Sequence, residues 1–156
     1  MGTSKINYVH LFYICTKILT GHGTIDTKLT RLCQLLKNAV FYYNWVGIYF
    51  FDKNENVLVL GPFAGAPSRH TRILPGRGVC GQVLKKKETL IVQDVSQESN
   101  YLSCSPCVQS EIVTPIMGKG EIIGEIDIDS NEFSPFTEED KAFLEKIAEM
   151  IAKILK

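Results

Sequence analysis

The chain has 156 residues, 45% of them hydrophobic and 10% aromatic, with 17 basic and 17 acidic side chains, which predicts one ordinary domain over residues 1–156 and excludes disorder. The charge balance removes the basic field that nucleic-acid backbones select, and the longest apolar run, residues 39–51, is broken by Asn44 and is shorter than the ~18 residues of a membrane span. Five cysteines, an odd number without disulfide-scaffold density, and an N-terminus with no leader-like pattern predict a cytoplasmic protein with free thiols.

In chain order, Ile6, Val9, Ile14, Ile18 and Leu19 fall near helical spacing before Gly21, and Leu29, Leu32, Leu36 and Val40 repeat that spacing after Asp26. The period then changes. Val46, Ile48 and Phe50 alternate with Trp45, Gly47 and Tyr49, and the polar run 52–56 turns the chain into residues 57–60, which predicts a hairpin. Residues 69–74 read as a third strand, 76–85 as a glycine-opened turn and short helix, and 89–92 as another strand. The polar stretch 94–106 is the longest loop, and loops carry function more often than scaffold does. Residues 111–117 and 121–129 flank Gly118-Lys119-Gly120 as a second hairpin. Thr137 to Asp140 forms a capping box before a helix with Phe143, Leu144, Ile147, Ile151 and Ile154 on one face.

This order predicts an α+β fold: a central antiparallel sheet with the N- and C-terminal helices packed on one face. A ligand pocket is expected on the other face, covered by the loop after Val92.

Strand side chains alternate between faces, so in Glu125-Ile126-Asp127-Ile128-Asp129 the isoleucines enter the helix-covered core and three carboxylates share the opposite face. That face is either solvated, or a site that binds a cation or holds one carboxyl protonated, because closely spaced carboxylates push one pKa upward. Cys104-Ser105-Pro106-Cys107 is a redox pair or half of a zinc site. On paper His70 and Cys80 complete a four-ligand zinc set with Cys104 and Cys107. Cys15 and Cys33 lie within the first two helices and are expected to pack as small hydrophobes. Gly76-Arg77-Gly78-Val79-Cys80-Gly81 lacks both the dinucleotide-loop spacing and the lysine-hydroxyl pair of a P-loop. Its glycines either turn sharply or let backbone approach a small ligand. Trp45 and Tyr49 form an aromatic wall opposite Val46 and Ile48, or simply join a core.

The segments NWVGIYF, LGPFAG, GRGVCG, SEIVTPI and GEIDIDS, in this order, resemble the free methionine-(R)-sulfoxide reductases, a GAF-domain enzyme family. The resemblance runs from about Asn44 to the C-terminal helix. It implies a GAF domain and an oxidoreductase that reduces free methionine-(R)-sulfoxide, holds no bound cofactor and is regenerated by thioredoxin or a similar dithiol. A homodimer is compatible with it. It implies Cys104 as the catalytic thiol, Glu111, Asp127 and Asp129 as substrate-binding acids, and Trp45 and Tyr49 as pocket aromatics. Cys80 is the cysteine of its GRGVCG turn.

Two positions depart from the family pattern. His70 stands where the family usually carries the cysteine that forms the disulfide, and Glu125 stands where an apolar or small residue is more frequent. The resolving thiol, after sulfenic acid forms on Cys104, is then Cys80 or Cys107. Two alternatives follow: a GAF sensor that binds a small molecule without turning it over, and a zinc-binding module on His70, Cys80, Cys104 and Cys107.

Overall fold

The computed structural model describes residues 5–103 and 105–155. Helices α1 (Tyr8–Thr20) and α2 (Ile25–Ala39) lead into a hairpin of β1 (Trp45–Asp52) and β2 (Val57–Ala64). The short β3 (Arg72–Ile73), α3 (Gly78–Lys86) and β4 (Leu90–Val92) follow, then a second hairpin of β5 (Ser110–Gly118) and β6 (Glu121–Ser130), and finally α4 (Glu138–Ile154). The strands form one sheet in the order β3-β2-β1-β6-β5-β4, antiparallel throughout. The second hairpin turns on Lys119 and Gly120, both at positive φ (53° and 79°). That pair is the two-residue connection whose twist matches the strands.

The expected layers are present. Leu11, Cys15 and Leu19 of α1, Leu29, Leu32, Cys33 and Leu36 of α2, and Phe143, Leu144, Ile147 and Ile151 of α4 pack onto Val46, Ile48, Ile112, Ile116, Ile126 and Ile128 of the sheet. Each such aliphatic side chain contributes ~1.5–3 kcal/mol on burial. Cys15 and Cys33 are inside this core, as their helical positions predict. The face of α1 differs from the expected one: Val9 is 83% exposed, and the buried stripe runs through Leu11, Cys15 and Leu19. This 4-residue spacing turns Ile6, Ile14 and Ile18 to the half-buried flank.

Side-chain caps start the helices: Asn7 accepts from the His10 amide at 3.0 Å and Thr24 from the Thr27 amide at 3.1 Å. The capping box of Thr137 and Asp140 is formed and belongs to a larger network. The buried Asp140 carboxylate also accepts hydroxyl hydrogen bonds from Tyr8 (2.8 Å), Tyr42 (2.9 Å) and Tyr43 (2.5 Å). The carboxylate thereby ties α1 and the segment before β1 to the start of α4.

Two further expectations need correction. Of the strand expected over residues 69–74, only Arg72–Ile73 pairs. The backbone before it is engaged elsewhere, since the His70 amide donates to Ser68 Oγ and its carbonyl accepts from Tyr49. The second sheet face is covered not by the loop after Val92 alone. Val79, Cys80, Val83 and Leu84 of α3 pack there on Tyr49, Leu58, Val113 and Ile122, joined by Tyr101 and Leu102 of the loop.

Candidate active site

Alternation along β6 turns Glu125, Asp127 and Asp129 toward α3 and away from the outer helices. The β5–β6 register sets Glu111 opposite Asp129. Over this acidic face α3 carries Cys80, and its close seating depends on glycine. A Cβ on Gly81 would lie 2.7 Å from the Leu74 carbonyl oxygen and 2.9 Å from Gly76 backbone. Gly81 of GRGVCG therefore lets α3 pack closely on the turn that precedes it.

The solvated-face alternative for the acids fails. Glu111 is 6% exposed, Glu125 0%, Asp127 4% and Asp129 4%. Burial raises the carboxyls of Glu125, Asp127 and Asp129 above the ordinary carboxylate range, and the charge of Asp127 raises Glu125 and Asp129 further. Hydrogen bonding from Glu111 and Cys80 partly counters the rise at Asp127. The Cys80 thiol donates toward Glu111 Oε1 at 4.0 Å. It is pushed well above its usual range, first by burial and then by Asp127, Glu125, Glu111 and Asp129.

Neither oxygen of Glu125 has a hydrogen-bond partner of normal geometry, and Asp127 Oδ1 has none. The Cys80 thiol lies near enough to Glu125 to moderate its shift without satisfying it. A buried carboxylate so placed is held neutral, since an unpaired charge costs far more than an unpaired acid.

The aromatics of β1 line this face and are anchored. The Trp45 indole N–H donates to the Ala66 carbonyl at 2.8 Å, and its ring stacks on Phe63 at 5.7 Å between centroids. The Tyr49 hydroxyl donates to the His70 carbonyl at 2.7 Å. His70 Nε2 lies 3.0 Å from the Ser103 carbonyl, which requires the tautomer with hydrogen on Nε2. His70 thus ties the β2–β3 loop to the loop after β4.

The expected site residues, among those described, line two cavities. One, of about 10 Å³, is bounded by Tyr49, His70, Cys80, Leu102, Glu111 and Asp127. The other, of about 220 Å³, is bounded in part by Trp45, Ser68, Ser105, Cys107 and Asp129. The first holds about one water-sized particle and is too small for an amino acid as it stands. A wider cleft of about 400 Å³ runs between Lys87, Thr89, Pro115, Lys141 and Glu145 and contains none of the expected groups.

Cys104 lies outside the described residues. Cys107 is exposed and Cys80 buried, both as free thiols. Among the described residues, the side chains close enough to share an ion are Cys80, Glu111 and Asp127, whose ligand atoms lie within 4.8 Å of one another. His70 and Cys107 do not join them, so the described members of the expected zinc set of His70, Cys80, Cys104 and Cys107 do not come together. The sequence marks Glu125 as one of three carboxylates on a shared strand face and as a departure from the family pattern, without placing it among the substrate-binding acids. Its signal as a site residue was its phase, shared with Asp127 and Asp129.

The GAF domain family model matches residues 22–155. GAF domain-containing protein A of Dictyostelium discoideum is 39% identical over 150 residues, covering 96% of this chain and 93% of its own. The free methionine-R-sulfoxide reductase of Saccharomyces cerevisiae is 36% identical over 148 residues, covering 87% of this chain and 82% of its own. The structure of free methionine-R-sulfoxide reductase from Neisseria meningitidis in complex with its substrate superposes with a TM-score of 0.91 at 33% identity, covering 99% of this chain and 92% of that one.

Proposed function

The chain belongs to the free methionine-R-sulfoxide reductases of the GAF-domain family, and we propose that it reduces free methionine-(R)-sulfoxide to methionine with Cys104 as the attacking thiol. The observation that carries this reading is the buried acidic face of Glu111, Asp127 and Asp129 beneath α3. A free amino-acid sulfoxide presents an ammonium and a polar S=O group. An ionised carboxylate selects the first, and a carboxyl kept neutral by burial donates to the oxygen of the second. Trp45 and Tyr49 flank the thioether chain.

The Cys104 thiolate attacks the sulfoxide sulfur while a carboxyl proton passes to the oxygen. Oxygen transfers to the enzyme sulfur, so methionine sulfur gains two electrons and Cys104, now a sulfenic acid, loses two. A second thiol then attacks the sulfenic sulfur, a disulfide forms and water leaves. A dithiol such as thioredoxin exchanges with that disulfide and restores both thiols. The electrons come from thiols throughout. A reducing compartment, the cytoplasm, suits this cycle because the resting thiols must stay free.

Of the two candidates for resolution, Cys107 is favoured. It is exposed and borders the cavity of Trp45 and Asp129, whereas the buried acids oppose ionisation of Cys80. A second reading, a sensor that binds without turnover, draws on His70 in place of the family cysteine.

Turnover of separated R and S free sulfoxides, with Cys104→Ser as control, tests the proposal. Reduction of the R form alone, abolished in the variant, is expected. Activity that survives Cys104→Ser overturns the mechanism, and tight methionine binding without turnover establishes the sensor.

A further inference from the structure

The unpartnered carboxyl of Glu125 is not used by the reductase cycle. It is 0% exposed, neither oxygen is satisfied, and it faces the Cys80 thiol and the Asp127 carboxyl, with which it interacts. Beside it, Cys80 Sγ and one oxygen each of Glu111 and Asp127 converge within 4.8 Å. Those three residues also wall the cavity of about 10 Å³. An acidic strand alone would not define a site; a void of ion size walled by one thiol and two carboxyls, with the unpartnered Oδ1 of the buried Asp127 among its lining groups and the unsatisfied Glu125 beside Cys80, does.

We propose that Cys80, Glu111 and Asp127, with Glu125 as a flanking charge, bind one zinc-type divalent cation that blocks the substrate pocket. Thiolate sulfur together with carboxylate oxygen selects a borderline cation over calcium or magnesium, which take oxygen alone. Zinc accepts such a mixed tetrahedral set at ~2.0–2.3 Å per ligand, and ligand atoms already within 4.8 Å reach that arrangement by small side-chain adjustment. The cation's own charge inverts the local electrostatics: acids that oppose a bare Cys80 thiolate become its co-ligands once two positive charges sit among them. It also supplies the partner that Asp127 Oδ1 lacks and offsets the buried Glu125 beside it. The competition with substrate rests on the pocket reading given above; the cation site itself does not.

Metal content decides between these. Protein reduced with a phosphine and dialysed against zinc is expected to retain one ion per chain. Glu125→Gln, close in shape to the native side chain, is expected to weaken binding at least 10-fold in chelator competition, and Cys80→Ser more. Cobalt in place of zinc is expected to give a thiolate charge-transfer band in the near ultraviolet that disappears in Cys80→Ser. Melting temperatures and circular dichroism identify any variant that fails to fold, and the cobalt band of Glu125→Gln then reports on the site independently. Retention of no zinc overturns the proposal, as does binding that survives Cys80→Ser and is lost in Cys107→Ser. Methionine is expected to displace the ion; an ion held at Cys80 but indifferent to methionine supports the metal site and counts against the substrate pocket.

Discussion

The Cys80 thiol approaches Glu111 Oε1 at 4.0 Å inside a group of buried acids, an arrangement that keeps the sulfur protonated. Thiol reactivity follows thiolate content and access, and Cys80 has neither. Iodoacetamide applied to the native, reduced protein is expected to label Cys107 quickly and Cys80 only after denaturation. Fragment-ion mapping of the labelled peptides reads this directly. Cys15 and Cys33, whose thiols burial pushes up to about 12, are expected to be protected like Cys80. Native labelling of Cys80 as fast as Cys107 would contradict the geometry.

The buried carboxyls make stability depend on pH in an unusual direction. For Glu125 the folded pKa stands above the unfolded one, so the folded state holds the extra proton between the two values. Stability from this proton is fully present below the ordinary carboxylate range of ~4 and is lost as pH rises through the raised folded value, at up to ~1.4 kcal/mol per pH unit. Asp127 and Asp129 contribute with the same sign. Glu125→Gln has no proton to lose. Urea unfolding with a chelator present is expected to find the variant more stable than the parent at pH 8, with a smaller gap at pH 5. A variant less stable than the parent at pH 8 would show that Glu125 has a partner.

Asp140 accepts from three tyrosine hydroxyls and caps α4 through Thr137. Asp140→Ala removes the cap and the acceptor shared by three hydroxyls, leaving Tyr8 and Tyr42 only each other at 3.1 Å, and is expected to cost ~3–5 kcal/mol in urea unfolding. Tyr43→Phe removes one donor of 2.5 Å length and is expected to cost ~1–2 kcal/mol. The network lies on the helix side of the sheet, so KM of the folded variants is expected to hold. A cost below 1 kcal/mol for Asp140→Ala would mean that the tyrosines find other acceptors.

The same network marks where local pattern stops being informative. Thr137 and Asp140 are three residues apart, and their capping box is visible in the sequence. The tyrosines that share the carboxylate are 97 to 132 residues away and carry no common local signal. The strands and their faces were legible because a period of two fixes orientation, which is why Ile126 and Ile128 fall in one core and Asp127 and Asp129 in the other. The seating of α3 was not, since Val79 and Val83 join Tyr49 and Val113 in one core only through the way the helix returns onto the sheet. His70 was visible only as a departure from a family pattern. Its actual engagement, through its carbonyl to Tyr49 and its ring to Ser103, depends on two loops meeting.

The resolving step separates Cys107 from Cys80. After Cys104 is oxidised, the attacking sulfur must be a thiolate that can reach it. Cys107 is exposed, three positions along the same loop, while Cys80 is enclosed by acids that disfavour ionisation. With thioredoxin as the reductant, Cys107→Ser is expected to stall after about one methionine per chain and accumulate a sulfenic acid trappable with dimedone. Cys80→Ser is expected to pass that point and to show a Cys104–Cys107 disulfide on peptide mapping after oxidation by the sulfoxide. Dithiothreitol is unsuitable for the comparison because a small dithiol reduces the sulfenic acid directly and hides the missing thiol. The reverse pattern, a stall in Cys80→Ser alone, would assign resolution to Cys80. It would also require the acids around that thiol to ionise or move apart when Cys104 is oxidised, a rearrangement that the pH dependence of the second step would reveal.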